Sequence, residues 1–236
     1  MKRVVVFLPC GKISLDPEFI ESYSKAKTYF QMTMEGWELI EYYPKYFPPS
    51  EARNDCVGRM KEGFSGYEVD TSIWFDTDHV LPYDVIVKLL SHDLPIVSGV
   101  YYLKRPPFFP IVYRKKKQCG DTGFWLASPY VNYPDELFEA DYIGMGCVRI
   151  DREVFLDLKV PYFEYRGHSL EEEGEEDYSY LQRHGIRNNT EEFVFWDQVR
   201  ERWKIMVDPS IQLLHFGKRK VGKEEYEYNK QMGVFG

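Results

Sequence analysis

The chain has 236 residues, 44% hydrophobic and 29% charged, which suits one large soluble domain or two small ones. A net charge of -8 argues against a general nucleic-acid-binding role, which needs a basic footprint. Cys10, Cys56, Cys119 and Cys147 are widely spaced with no CxxC or Cys/His cluster, against a zinc site, and no stretch approaches the roughly 20 apolar residues of a spanning helix. The apolar run after Met1-Lys2-Arg3 is too short for a signal peptide, so the expected setting is cytoplasmic with reduced thiols.

Residues 3–8 read as a buried strand ended by Pro9 and Gly11. Pro17 opens a helix to about residue 34, as proline does at a first helical position. Residues 37–42 form a second strand, and Pro44, Pro48 and Pro49 a stiff loop. Ser50 is expected to cap a helix over 51–62 with Ala52, Cys56, Val57 and Met60 on one face. Residues 73–75 are the next strand. Pro82 opens a helix ending near His92, and 96–102 is again strand-like. This alternation predicts an α/β fold with a mostly parallel sheet.

Beyond Lys104 the pattern changes. Residues 105–135, rich in Pro, Tyr and Lys, predict hairpins and loops. An apolar run over 140–150 is turned by Gly144-Met145-Gly146, and 152–159 is a short helix. The acidic stretch 164–190 reads as a solvated loop. Thr190 is expected to cap a last helix over 191–202. Short strands over 205–207 and 211–214 then flank an Asp208-Pro209 turn. The expected division is one domain with a first half, 1–104, a second half, 105–217, and a basic tail, 218–236.

Asp76 and Asp78 end the apolar strand Ile73-Trp74-Phe75, at what would be the carboxyl edge of the sheet, where open α/β folds bind ligands. Alternating geometry puts both carboxylates on one side of an extended segment. Their charge suits a divalent cation with hard oxygen ligands, Mg or Mn. Solvated aspartates at a polar strand end are the plain alternative. His215 follows a second apolar strand, and a neutral imidazole can complete a Mn site beside a carboxylate. The tail cations Lys218, Arg219 and Lys220 can pair with phosphate oxygens.

On the 191–202 helix, Glu192, Phe195, Trp196 and Val199 fall at i, i+3, i+4 and i+7 and share an inward face. Glu192 then sits in the first turn, at the edge of a buried surface, where a carboxylate can act as a general base. Glu191 falls on a more polar arc with Gln198. Compensation of the helix dipole is the simpler role for both. Arg53, in the first turn of its own helix, offers a fork for phosphate or a plane for a base.

Taken in order, these segments resemble nucleotide-sugar glycosyltransferases of the GT-A fold, typified by glycosyltransferase family 2. The resemblance rests on Ala52-Arg53-Asn54 opening a helix, Asp76-Thr77-Asp78 after an apolar strand, and the I-V-S-G-x-Y-Y run over 96–102. It continues with Gly144-Met145-Gly146 and Val154-Phe155, Glu191-Glu192-Phe193, the V-D-P-S-I run over 207–211, and His215. It implies a GT-A, Rossmann-like central sheet with a smaller mixed acceptor-side region.

It also implies roles. Asp76 and Thr77 would contact the ribose or a metal water, Asp78 would bind Mn2+ or Mg2+ and the diphosphate, and His215 would be a second metal ligand. Arg53 would lie near the nucleotide, Pro9 and Cys10 would border the base, and Lys218 and Lys220 would meet phosphate. Glu192 or Glu191 would be the catalytic base, with Asp177 in reserve, because this chain has Glu-Glu where the family has Glu-Asp. The partners implied are a UDP- or GDP-sugar and a saccharide or other hydroxyl acceptor, stacked on Tyr101, Tyr102, Trp125 or Tyr130.

Two other readings use the same residues. Asp76-Thr77-Asp78-His79-Val80 fits the D-x-D-x-[TV] nucleophile motif of haloacid dehalogenase-type phosphatases. That motif normally sits on a first strand, and Gly120-Asp121, the acid it would need later, does not follow one. A non-catalytic sugar- or nucleotide-binding module would need no base.

Overall fold

A computed structural model describes residues 1–10, 15–44, 48–64, 66–119, 124–164, 191–216 and 220–231, excepting the side chains of 116–119 and 124–126. The first half runs β1 (Lys2–Phe7), α1 (Pro17–Thr33), β2 (Trp37–Tyr42), α2 (Pro49–Glu62), β3 (Thr71–Phe75), β4 (His79–Val80), α3 (Val85–Ser91) and β5 (Ile96–Val100). The second half continues with β6 (Val112–Cys119), β7 (Phe124–Pro129), β8 (Phe138–Ala140), β9 (Tyr142–Ile143), β10 (Cys147–Asp151) and α4 (Arg152–Leu156). After the acidic stretch come α5 (Glu191–Val199), β11 (Ile205–Gln212), β12 (Leu214–Phe216), β13 (Lys220–Val221) and α6 (Lys223–Gln231).

The central sheet has seven strands in the order β2-β1-β3-β10-β5-β11-β8. β1 pairs parallel with β2 and β3, and β5 pairs parallel with β11. β10 lies antiparallel between β3 and β5, which makes those two parallel to each other. The expected α/β fold, a mostly parallel sheet flanked by helices with a smaller mixed region, is the one observed. Two three-stranded sheets, β13-β12-β4 and β7-β6-β9, complete it.

Period-two alternation explains how one sheet serves two cores. Val4, Val6, Ile73 and Phe75 face α1 and α3, meeting Phe19, Tyr23, Ala26, Phe30, Ile86 and Leu89. Val5, Phe7 and Trp74 face the other way, toward Cys56, Val57 and Met60 of α2 and Phe195 and Trp196 of α5. Burial on both faces explains the apolar runs Val4 to Leu8 and Ile73 to Phe75. α1 is started by Asp16, whose carboxylate accepts the Glu18 N–H at 2.9 Å, with Pro17 following.

Several local expectations need correction. Ser50 is not an N-cap: α2 begins at Pro49 after Pro48, with no side-chain cap, because the paired prolines preset its first turn. Residues 205–212 form one strand, irregular between Val207 and Gln212, rather than two around a turn. The helix starting at Glu191 ends at Val199 and is not the last one. Thr190 lies outside the described residues. The expected basic tail contains α6, whose first turn carries Glu224 and Glu225, and which docks by stacking buried Tyr226 on Tyr102 at 5.5 Å. Tyr101, Tyr102 and Tyr130 are buried in the cores rather than presented to a ligand. The Trp125 side chain lies outside the described residues.

Candidate functional site

Because β1, β3, β5 and β11 run the same way, their carboxyl ends gather on one edge, and the segment leading into antiparallel β10 arrives at that edge too. Five chain segments meet there: Pro9-Cys10, Asp76-Thr77-Asp78, Tyr101 to Lys104, Gly144-Met145-Gly146, and Leu213 to His215. Such an edge is where open α/β sheets bind ligands.

The two aspartates do not continue the strand. The β3 ladder ends at Phe75, and residues 76–78 turn into β4, which pairs with β12 so that His79 lies opposite His215. The carboxylates therefore serve different partners instead of sharing one side of an extended segment. Asp76 Oδ1 takes Arg53 Nη2 at 3.2 Å. Asp78 faces the histidines, with Oδ1 3.4 Å from His215 Nε2, and its Oδ2 pairs with Lys104 Nζ.

Hydrogen bonding fixes both tautomers. His215 Nδ1 lies 2.7 Å from the Tyr102 carbonyl, and His79 Nδ1 lies 3.1 Å from the Asp76 carbonyl. A carbonyl only accepts, so each Nδ1 carries a proton and each Nε2 is the atom left to face the site. His79 is fully buried, and burial with the neighbouring His215 lowers its pKa to about 4, so it is neutral at pH 7. Burial pushes the Asp78 carboxyl up. His215, His79 and Lys104 outweigh it and hold the carboxyl below the usual carboxylate range.

The outcome is two buried polar atoms without hydrogen-bond partners, Asp78 Oδ1 and His79 Nε2. His215 Nε2 also faces a carboxylate oxygen, and a cation between the two would satisfy both. One ligand atom from each of Asp78, His79 and His215 falls within 4.8 Å of the others. Two ligands of one ion, each at about 2.1 Å, would stand at a spacing like the 3.4 Å between Asp78 and His215. The donor set fits a divalent ion, and carbonyls holding each Nδ1–H are the usual support for ligating histidines. Asp76 is not in this group.

A second cluster lies beside it. Buried Arg53 reaches from the N-terminal part of α2, with Nη1 2.6 Å from Glu191 and 2.8 Å from Glu192. One guanidinium thus serves Glu191, Glu192 and Asp76. Burial works to discharge Arg53, and Glu192, Asp76 and Glu191 more than offset it. Three carboxylates around one cation leave excess negative charge in a poorly solvated place, where one carboxyl tends to hold its proton. Glu192 is that one. Burial, then the charges of Glu191 and Asp76, push its pKa up to about 7 against the pull of Arg53 and the Met145 N–H, which donates to it at 3.2 Å. Glu191 is buried, contrary to the polar arc expected of it, because Arg53 enters from a distant segment and turns that arc inward.

Tyr101 separates the two clusters. Its ring is edge-on to His79 at 4.5 Å, and its hydroxyl accepts the Gly146 N–H at 2.9 Å. The glycines make room for it. A Cβ on Gly144 would overlap the Tyr101 hydroxyl, and one on Gly146 would lie 2.5 Å from Cε1 of His79.

The remaining expected residues are placed as follows. Pro9 and Cys10 follow the end of β1, where partial burial raises the Cys10 thiol. Thr77 sits in the turn between the aspartates. Lys220 pairs with Glu18 in the first turn of α1. Lys218, Asp177 and the Gly120-Asp121 pair lie outside the described residues. His79 and Lys104 were not expected at the site, and Tyr101 was expected there only as a ring to stack the acceptor. For His79 the available signal was its position directly after the two aspartates.

No protein-family model and no curated protein sequence matches the chain. Among solved structures, the protein A197 from STIV overlaps with a TM-score of 0.57 and 17% identity, over 94% of this chain and 91% of that one, a likeness of fold alone. The inositol-1-phosphate CTP transferase from T. maritima follows at a TM-score of 0.43 and 8% identity, covering 98% of this chain and 96% of that one. The galactosyltransferase LgtC follows at 0.39 and 9%, covering 85% and 70%. Overlaps as loose as the last two carry no inference about what this chain does.

Proposed function

We propose that the chain is a metal-dependent glycosyltransferase that moves a sugar from a nucleoside diphosphate sugar to an acceptor hydroxyl, with Glu192 as the base. The observation that carries this reading is the pairing on one sheet edge of a cation-ready group, Asp78, His79 and His215, with a buried carboxyl whose pKa is raised to near neutrality. A general base is most effective when its pKa lies near the working pH.

Asp78, His79 and His215 would hold the ion, which when bound supplies positive charge against a departing diphosphate. Glu192 accepts the proton of the acceptor hydroxyl on a carboxylate oxygen as that hydroxyl attacks the anomeric carbon. Attack from the face opposite the leaving group inverts the configuration. The Met145 N–H orients the Glu192 carboxylate, and Arg53 holds it against Glu191. Arg53 also ties this base to Asp76, so the donor and acceptor halves share one guanidinium.

The test is release of UDP or GDP from a panel of sugar nucleotides with Mn2+, for wild type and Glu192→Gln. The reading expects turnover with at least one donor and a loss of about a hundredfold or more in the variant. Equal turnover by both proteins would remove Glu192 from the chemistry.

A further inference from the structure

The chain leaving β5 carries a cation that the site described so far does not use. Lys104 Nζ pairs with Asp78 Oδ2, the oxygen turned away from the histidines. Asp78 is thus divided, with one oxygen toward His215 and the other toward a lysine. Both side chains of this pair are open to solvent, 38% for Lys104 and 43% for Asp78, whereas Arg53 is buried and committed to three carboxylates.

The backbone holds Lys104 in place. The Tyr102 carbonyl, two residues earlier, orients His215. Leu103 N–H donates to the Phe109 carbonyl at 2.9 Å, and Phe108 N–H to the Arg105 carbonyl at 2.9 Å. Phe108 is buried and has φ 59, a conformation a bulky residue keeps only when its surroundings enforce it. The lysine therefore projects from a pinned loop onto an aspartate at the edge of the metal group.

We propose that Lys104 is a diphosphate-binding residue that rests on Asp78 in the empty site and moves onto the phosphate oxygens of the nucleotide when a divalent ion takes Asp78. This rests on the glycosyltransferase reading and names a residue for its leaving group. An exposed ion pair contributes little by itself, so the lysine is not locked in place. A divalent ion on Asp78 cancels the charge that holds the ammonium there and repels it. The diphosphate brings more negative charge than one such ion neutralises, and an ammonium is a compact phosphate partner.

Calorimetric titration of wild type, Lys104→Ala and Lys104→Arg with Mn2+ alone tests the first half. UDP, GDP, uridine and guanosine titrated in saturating Mn2+ test the second. The proposal expects Lys104→Ala to bind Mn2+ as tightly as wild type or more tightly. It expects that variant to lose about tenfold or more in diphosphate affinity, as for one charge-assisted hydrogen bond. Nucleoside affinity should stay unchanged, and Lys104→Arg should recover most of the loss. Unchanged diphosphate affinity in Lys104→Ala overturns the proposal and leaves the transferase reading standing. Weakened Mn2+ binding in that variant also overturns it, because Lys104 would then only position Asp78. If wild type binds neither diphosphate, the transferase reading falls and the role of Lys104 with it.

Discussion

Arg53 Nη1 lies 2.8 Å from a carboxylate oxygen of Glu192, and the same guanidinium reaches Asp76 through Nη2 at 3.2 Å. One buried cation thereby joins the residue proposed as base to the first aspartate of the strand-end pair. Removing it strands up to three carboxylates. Arg53→Met should cost about 3–5 kcal/mol, roughly 10 °C in Tm, as for breaking a buried ion pair from one side. A double variant, Arg53→Met with Glu191→Gln, should recover part of that loss. Thermal unfolding of the two variants checks both outcomes.

The raised carboxyl of Glu192 sets a pH dependence. Only its ionised form can take a proton, so kcat/KM should fall as pH drops below about 7, with one acidic limb that Glu191→Gln moves to lower pH by removing a neighbouring charge. Stability has the opposite sign. A pKa raised in the folded state favours folding below the ordinary value of 4.5 and loses that contribution as pH rises through about 7. Glu192→Gln should therefore gain stability relative to wild type between those values and level off above them. Denaturant unfolding at pH 4.5, 6 and 8 measures the trend.

The mixed oxygen and imidazole donor set favours Mn2+ over Mg2+, which prefers oxygen ligands. Mn2+ should raise Tm more than Mg2+ at equal concentration. His215→Ala and His79→Ala should each remove most of the Mn2+ effect, since each deletes one of three donors. Equal stabilisation of His79→Ala and wild type by Mn2+ would take His79 out of the group.

Gly146→Ala should damage the site without replacing a ligand. Its methyl would press on His79 and on the Tyr101 ring, both buried and unable to move aside. Overpacking of this kind costs about 1–3 kcal/mol. The expected signature is a modest fall in Tm together with a larger loss of Mn2+ affinity.

The parallel half of the fold was legible because its central strands are apolar on both faces and its helices begin at Pro17 and after Pro48. The antiparallel insertion of β10 was not, because a strand-like run such as Cys147 to Ile150 carries no mark of its direction. Asp78 and His215 were readable as partners from their strand-end positions. The separation of Asp76 from Asp78 was not, since it depends on where the β3 ladder stops. Glu191 was misplaced because helical periodicity weighs each residue by its own polarity, and the guanidinium that buries it comes from α2. His79 and Lys104 needed three dimensions: one shows itself by a buried nitrogen without a partner, the other by contact with an aspartate from an earlier loop.

The most direct measurement is thermal unfolding of wild type and Asp78→Asn with UDP or GDP, each with and without Mn2+. A ligand at a hundredfold excess over its Kd stabilises by about 2.7 kcal/mol, roughly 5–10 °C in a domain of this size. A metal-bound nucleoside diphosphate at this sheet edge predicts a rise of that order with one of the two nucleotides, dependent on Mn2+ and absent in Asp78→Asn. No rise with either nucleotide in Mn2+, or an equal rise in Asp78→Asn, would contradict it.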